Sequence, residues 1–267
     1  AGLTDLIPDV STSARLPFER EIRIDGLSFR YPNTDVDVLR DVDLTIPIRA
    51  SIGLVGGTGS GKTTLVDLIL GLLEPTEGRI WVDGVPLGPE IHRHWRRNLG
   101  YVPQEIFLCD DSIARNIAFG LSEERISREA VEEAARVAQI HHFITSLPQG
   151  YDTVVGERGV RLSGGQRQRI GLARALYHQP EVLILDEATS ALDGITEDAL
   201  MEAMQSLAGQ KTMILIAHRV TTLRECNRIL LFKEGRVAES GTYTELMEQS
   251  AEFRAMAKTA EVGTARV

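Results

Sequence analysis

Two stretches near the start of the chain alternate hydrophobic and polar residues. The hydrophobic members are Ile22, Ile24 and Phe29 in the first stretch and Val42, Leu44 and Ile46 in the second. Because successive side chains of a β-strand point to opposite faces, this period of two predicts two half-buried strands. We expect the two strands to pair in an antiparallel manner.

Later hydrophobic runs are continuous rather than alternating, and they cover residues 51–55, 182–185, 213–217 and 229–232. Continuous runs of this length are typical of strands that are buried on both faces. Helical patterns separate them: Leu65, Leu68, Ile69 and Leu72 recur at helical spacing after the first run, and Thr196 and Thr221 are expected to cap later helices. Strands that alternate with helices predict a parallel βαβ sheet.

Residues 106 to 178 show helical patterns without a buried strand. Ser127 is a suitable N-cap for a helix whose buried face would be Val131, Ala134, Ala135 and Ala138. A helical insert of about 106–178 is therefore expected to divide the α/β part of the chain.

Composition excludes several classes of protein. The 267 residues include 43% hydrophobic and 25% charged residues, as in ordinary globular domains, and the formal net charge of −9 argues against bulk nucleic-acid binding. The longest apolar candidate for a membrane span, residues 65–73, is too short and contains Asp67. No secretory signal is visible, and Cys109 and Cys226 have no spacing that suggests a disulfide framework or a zinc site.

Residues 56–64 carry the clearest chemical signal, GGTGSGKTT, which satisfies the pattern GxxxxGK[ST] between a strand and a helix. Glycines allow successive backbone N–H groups to approach phosphate oxygens, and a helix N-terminus favours anions. Lys62, expected to be a solvent-facing charge, would contact the β- and γ-phosphates, and the Thr63 hydroxyl would ligate Mg²⁺. A merely flexible turn is the alternative.

A phosphate site of this kind needs an acidic residue at a nearby strand end. Asp186 follows the apolar run 182–185 and would join the Mg²⁺ shell, and Glu187 beside it is a candidate base for water. Adjacent carboxylates also occur in ordinary helix N-terminal turns. The glycine loop upstream favours the metal-binding interpretation. The fold class is therefore α/β, a P-loop NTPase core (about 50–105 and 179–240) with an antiparallel β subdomain and the inserted helical subdomain.

Residues 162–166, LSGGQ, resemble the signature sequence of the nucleotide-binding domain of ATP-binding cassette transporters, and the similarity runs from about Phe29 to Gly241. The resemblance implies that Tyr31 stacks on adenine, that Gln104 senses Mg²⁺ and the transmembrane partner, and that His218 contacts the γ-phosphate. It also implies that residues 190–193, ending in Asp193, form the loop to a second subunit. Residues 153–159, TVVGERG, resemble the extra loop of exporter-type members.

The resemblance assigns roles to three sets of residues. The ATP-binding set is Tyr31, Gly57, Thr58, Gly59, Ser60, Gly61, Lys62, Thr63, Thr64 and Gln104. The signature set, which would bind the ATP of a partner subunit, is Leu162, Ser163, Gly164, Gly165 and Gln166. The catalytic residues would be Lys62, Glu187 and His218, and the Mg²⁺ ligands Thr63, Gln104 and Asp186.

The family implies an ATPase that uses ATP and Mg²⁺, dimerises head to tail with a second nucleotide-binding domain, and drives a transmembrane domain from the cytoplasmic face of the membrane. Residues 1–20 would be the linker from that domain, 21–241 the ATPase domain, and 242–267 a C-terminal helical tail. The exporter resemblance suggests a lipid, a lipid-linked oligosaccharide or polysaccharide, a peptide or a drug as cargo without naming it, and no nucleic acid is expected as a partner.

Other interpretations remain open at this point. A soluble cassette ATPase that acts on nucleic acid or ribosomes would share these motifs, and a phosphotransferase would share the glycine loop alone. Tyr31 could be a turn aromatic, His218 a core histidine, and Ser163 a routine helix cap. We expect four histidines and the basic run of residues 93–97 to lie on the surface, the basic run solvated or facing a partner; the histidines are His92, His94, His141 and His142.

Overall fold

The computed structural model describes residues 15–188, 194–217 and 219–264. Residues 190–193, which end in Asp193, and His218 lie outside the described residues, so the roles expected for them stay predictions.

The described residues contain ten β-strands and nine α-helices. The strands are β1 (Glu21–Arg30), β2 (Asp37–Pro47), β3 (Ser51–Gly56), β4 (Glu77–Val82), β5 (Val85–Pro86), β6 (Leu99–Val102), β7 (Val182–Asp186), β8 (Thr212–Ile216), β9 (Arg228–Lys233) and β10 (Arg236–Gly241). The helices are α1 (Lys62–Ile69), α2 (His92–Arg96), α3 (Ile113–Ile117), α4 (Arg128–Val137), α5 (His141–Ser146), α6 (Gly164–Leu176), α7 (Gly194–Leu207), α8 (Tyr243–Gln249) and α9 (Ala251–Thr264).

A six-stranded sheet forms the α/β core in the order β10-β9-β3-β8-β7-β6. The strands from β9 to β6 are parallel, and β10 is an antiparallel edge strand. The continuous hydrophobic runs lie in β3, β7, β8 and β9, as predicted, because helices and the second sheet cover both faces. The expected parallel sheet is confirmed.

A separate antiparallel sheet has the order β2-β1-β4-β5. Its first two strands are the alternating stretches, and Ile22 pairs with Ile46 as the period of two predicts. The prediction that the P-loop core includes residues of about 50–105 is wrong for residues 77–86. These residues form β4 and β5, and they join the antiparallel sheet because β4 pairs with β1.

Two hydrophobic clusters lie on opposite faces of the six-stranded sheet. Val182 and Ile184 face the cluster that contains the antiparallel sheet and α1, whereas Leu183 and Leu185 face the cluster that contains the helical insert and the last helices. Side chains of one strand alternate between the two layers because the strand pleat has a period of two. Helix α4 begins as predicted, since the Ser127 hydroxyl accepts a hydrogen bond from the Ala130 amide.

Three local expectations are wrong. Thr196 is the third residue of α7, which begins at Gly194, and Thr221 lies inside a 3₁₀ turn, so neither caps a helix. Trp95, in the basic run, is fully buried and donates its indole N–H to the Ile69 carbonyl at 2.7 Å. Leu72 is 58% exposed because α1 ends before it.

Candidate functional site

The glycine loop joins β3 to α1 at the carboxyl edge of the six-stranded sheet. Gly61 immediately precedes α1 with φ 103°, and a Cβ there would lie 2.6 Å from Leu39 Cδ2. Gly57 and Gly59, in contrast, have no atom within 4 Å of an added Cβ. The loop is therefore anchored tightly at its end and open in its middle, where backbone N–H groups are accessible to a phosphate.

Lys62 is not the solvent-facing charge that was expected from its position in a loop. Only 6% of it is exposed, and Nζ donates to the carbonyls of Gly56 at 2.9 Å and Gly57 at 3.0 Å and to Ser60 Oγ at 3.2 Å. The loop wraps around the ammonium group because these oxygens satisfy its three donors. Burial lowers the pKa of Lys62, and the charges of Glu187 and Asp186 oppose that shift.

Asp186 ends β7, and Gln104 lies two residues after the neighbouring strand β6. Because β6 pairs in parallel with β7, with Val102 opposite Leu185, both residues lie at the carboxyl edge of the sheet, as the glycine loop does. Asp186 is 6% exposed, and burial, followed by the charge of Glu187, raises its pKa. Gln104 and Thr63 are exposed.

The predicted metal ligands offer oxygen atoms only: the Thr63 hydroxyl, the Gln104 amide and the Asp186 carboxylate. Oxygen donors of this kind suit Mg²⁺, which usually keeps several waters and the substrate's phosphates as its remaining ligands. Among the residues described, the structure shows no group of three or more His, Cys, Asp and Glu side chains that could hold a metal. The histidines of α2 and α5 are thus part of no such cluster.

Glu187 is held in an unusual backbone conformation directly after β7. Its φ is 51°, which a residue with a side chain rarely adopts, and its amide donates to the Ile216 carbonyl at 3.0 Å. That hydrogen bond to the end of β8 holds the turn in place. Strained backbone of this kind is common at functional sites, where surrounding contacts determine the position of a reactive group.

Tyr101 is a site residue that the sequence did not assign. Its hydroxyl donates to Asp186 Oδ2 at 3.4 Å from the neighbouring strand β6, and burial together with Asp186 raises the pKa of Tyr101 to about 12. Tyr101 is therefore protonated at neutral pH and acts as the donor. No local pattern of residues indicates this contact, because only the pairing of β6 with β7 shows which carboxylate Tyr101 contacts.

Tyr31 lies beside the first turn of α1. Its hydroxyl is 3.2 Å from Thr64 Oγ1, and its ring packs edge-on against Phe29 with centroids 4.9 Å apart. The residue is 39% exposed, so part of the ring surface is accessible. The structure thus brings Tyr31 to the glycine loop, and it pairs the Thr64 hydroxyl with Tyr31.

The signature segment begins α6 with a complete capping box. Ser163 Oγ accepts from the Gln166 amide at 3.2 Å, and Gln166 Oε1 accepts from the Ser163 amide at 2.9 Å. Leu162 is buried, whereas Ser163 is exposed at the helix start. Ser163 therefore caps α6.

Helices α1 and α6 pack on opposite faces of the six-stranded sheet. Leu65 of α1 belongs to the cluster on one face, and Ile170 of α6 belongs to the cluster on the other. The glycine loop and the signature segment therefore begin helices that pack on opposite faces of the sheet.

Comparison with known proteins decides the family of this chain. The family model described as ABC transporter matches residues 39–190, which is more than half of the chain. The chain belongs to the ABC transporter family. It has the P-loop fold of that family's ATP-binding domain, which is an ATPase domain. The resemblance seen in the sequence is confirmed.

Several relatives within the ABC transporter family are exporters or flippases by name. The ATP-dependent lipid A-core flippase of Chromohalobacter salexigens is 42% identical over 96% of this chain and 44% of that protein. The flippase of the same name from Chromobacterium violaceum is 45% identical over 91% of this chain and 41% of that protein. A solved bacterial Atm1-family ABC exporter with ATP bound matches with a TM-score of 0.84 and 38% identity, covering 95% of this chain and 44% of that one.

The chain thus spans less than half the length of these ABC transporter relatives. In the part of the chain that the structure describes, no helix is long and apolar enough to cross a membrane. Nothing in the comparisons supports the alternative of a soluble cassette ATPase that acts on nucleic acid or ribosomes.

Proposed function

We propose that this chain hydrolyses ATP as one half of a head-to-tail dimer and thereby powers export through a transmembrane partner. The observation that carries the proposal is that the glycine loop and the capped signature segment begin helices on opposite faces of one core. We take each as a phosphate-binding element, because each lies at a helix N-terminus. Two copies placed head to tail would complete two ATP sites.

Within each site we assign the roles that the motifs predict. Lys62 and the loop N–H groups hold the phosphates, the ring of Tyr31 stacks on adenine, and Glu187 accepts a proton from the attacking water. His218 steadies the γ-phosphate. Bound Mg²⁺, held by Thr63, Gln104 and Asp186, would neutralise charge that develops on the phosphate oxygens.

Lys62 must exchange its present partners to act in this way. Its ammonium group donates to two loop carbonyls and to Ser60 Oγ, and these contacts hold it at the centre of the loop. Phosphate oxygens are stronger acceptors for an ammonium group than carbonyl or hydroxyl oxygens. We expect Lys62 to turn toward the phosphates with little movement of the backbone, because the loop is already anchored at Gly56 and Gly61.

The second copy would contribute the signature segment, residues 162–166, and the loop that contains Asp193. Ser163 and the first amides of α6 would contact the phosphates from the opposite side, where the helix carries no acidic residue in its first turn. Closure of the dimer on ATP and its reopening after hydrolysis would move a transmembrane domain, with this chain at the cytoplasmic face.

The relatives support a substrate of the lipid-linked class. Two of them are named lipid A-core flippases, and the solved neighbour is named an ABC exporter. We propose that the transmembrane partner moves an amphipathic, lipid-linked molecule. ATP turnover of the complete transporter in vesicles should then increase when such a lipid is added and should be unchanged with a water-soluble sugar phosphate.

The central experiment mixes two defective variants, Lys62→Ala and Ser163→Arg. In a mixed dimer one site has both lesions and the other has neither, so ATPase activity should reappear at up to about a quarter of the wild-type rate if pairing is random. Ser122→Arg is the matched control, because Ser122 is an exposed serine before a short turn of the helical insert and should keep full activity. No recovery on mixing, together with an ATPase rate that is first order in protein, would overturn the proposal.

A further inference from the structure

A second, strongly basic cavity lies away from the ATP site. It is an open cavity of about 450 Å³ beside the start of β6 and the end of α6, whereas the glycine loop lies at the carboxyl ends of the strands. The polar and charged side chains that line it are Arg15, Arg96, Arg97, Arg125, Tyr177 and His178.

Three separate parts of the chain form the walls. Arg15 comes from the segment before β1, Arg96 from α2 in the core, and Arg125 from the helical insert. These arginines are 29 or more positions apart in the sequence and meet only in the folded chain. A ligand that contacts all three would therefore join three parts of the molecule.

The segment before β1 is fixed at the cavity by specific hydrogen bonds. The Arg15 guanidinium donates to the carbonyl of Gln179 at 3.0 Å and to the carbonyl of His178, which follow the C-terminus of α6. The Leu16 amide donates to the His94 carbonyl at 3.3 Å, and Asn98 Nδ2 donates to the Leu16 carbonyl at 2.7 Å. These hydrogen bonds therefore fix the wall of the cavity that contains Arg15.

The charge in the cavity is opposite in sign to that of the whole chain. The chain has a formal net charge of −9, yet four guanidinium groups line this cavity, and none of the described residues that line it is Asp or Glu. The pKa of His178 lies below its usual range because burial, then Arg15 and Arg97, disfavour the imidazolium. The same positive potential would attract an incoming anion.

We propose that this cavity binds a multiply charged, phosphate-bearing anion that bridges Arg15, Arg96, Arg97 and Arg125. Guanidinium groups match the geometry of phosphate oxygens and can bind them in pairs, which an isolated lysine cannot. The volume lies within the range of small-molecule sites and suits a diphosphate group. The group can be part of a soluble polyphosphate or of an anionic lipid head group, and the inference does not depend on the ATPase mechanism.

The test is pyrophosphate titration of the whole chain by calorimetry at 0.15 M salt, with saturating ADP present to fill the glycine loop. Arg96→Gln and Arg125→Gln should each weaken binding by roughly tenfold or more, because each removes a charge-assisted contact. Arg93→Gln is the matched control: Arg93 lies on the same helix as Arg96 and is exposed, but it does not line the cavity. That variant should bind like the wild type.

Hydrogen exchange gives a second readout that tests the bridge itself. Pyrophosphate should slow exchange of the Leu16 amide in the wild type and should do so less in Arg125→Gln, which changes only the opposite wall. Vesicles of phosphatidylglycerol, with phosphatidylcholine as the control, distinguish the sources. If phosphatidylglycerol vesicles bind, and this binding depends on Arg125 and is displaced by pyrophosphate, the ligand is a lipid head group. If these vesicles do not bind, the ligand is a soluble anion.

Two results would overturn the proposal. One is the absence of any pyrophosphate or phosphatidylglycerol binding beyond the glycine loop. The other is an equal loss of binding in Arg93→Gln and Arg96→Gln, which would reduce the effect to general surface charge.

Discussion

At the scale of single residues, the proposed site includes a carboxylate that follows a strained turn of the backbone. Glu187, with φ 51°, projects from the turn after β7 next to Asp186. Glu187→Gln keeps the shape of the side chain but removes the proton acceptor. We expect ATP affinity to persist while hydrolysis slows by about 10²-fold or more.

Steady-state ATPase rates and equilibrium ATP binding measure the two effects separately. Glu181→Gln is the control, since Glu181 lies just before β7, at the other end of that strand, and should leave both quantities unchanged. Unaltered turnover in Glu187→Gln would assign the activation of water to another group.

Tyr101 provides a second test at this scale because it acts through Asp186. The hydrogen bond from its hydroxyl lowers the pKa of Asp186 and so opposes the effect of burial. Tyr101→Phe removes that donor, so the Asp186 carboxylate should protonate at higher pH. The acid limb of the ATPase pH profile is therefore expected to move to higher pH.

The matched control for Tyr101→Phe is Tyr243→Phe, which keeps the ring contact of Tyr243 with Phe253 on the last helices. Its pH profile should overlay that of the wild type. An acid limb that stays in place in Tyr101→Phe would show that Asp186 ionises independently of Tyr101.

At the scale of elements, two features of the glycine loop favour glycine at position 61: the positive φ of its backbone and its close contact with Leu39. Gly61→Ala would force a side chain into a conformation with φ 103° and against Leu39. Gly209→Ala, with φ 71° and no atom within 4 Å of the added Cβ, introduces the backbone strain alone. We expect Gly209→Ala to lower the free energy of unfolding by about 1 kcal/mol and Gly61→Ala by at least about 1 kcal/mol more.

Urea denaturation of both variants measures this difference. Gly61→Ala should also lose ATP binding, because the loop amides would be displaced. Equal unfolding free energies for the two variants would mean that Leu39 moves aside at no cost.

At the scale of the whole molecule, the proposed function requires a second copy of the chain. ATP should cause Glu187→Gln to form a dimer, and removal of ATP should reverse it, because phosphates bridge the glycine loop of one copy and α6 of the other. Sedimentation velocity with and without ATP detects the change. Ser163→Arg added to Glu187→Gln should abolish the dimer, and a dimer that persists in that double variant would place the interface elsewhere.

Much of this fold is predictable from local pattern. The period of two in β1 and β2, the continuous runs of β7 to β9 and the Ser127 cap all follow from chemistry within a few residues. Two errors concern burial, one caused by distant parts of the chain and one by a local loop. Trp95 is buried because α1 and Phe18 surround it, although its sequence neighbours are basic. Lys62 is buried because its own loop folds around it.

The sequence by itself determined the glycine loop and the capped start of α6, since glycine spacing, a lysine and a helix cap act over fewer than ten residues. Tertiary structure alone decided which strands are neighbours, and hence that Tyr101 contacts Asp186 across a separation of 85 positions. It also decided that four arginines from three segments share one cavity. Such contacts depend on the register and packing of long-range elements, and no local pattern of residues specifies them.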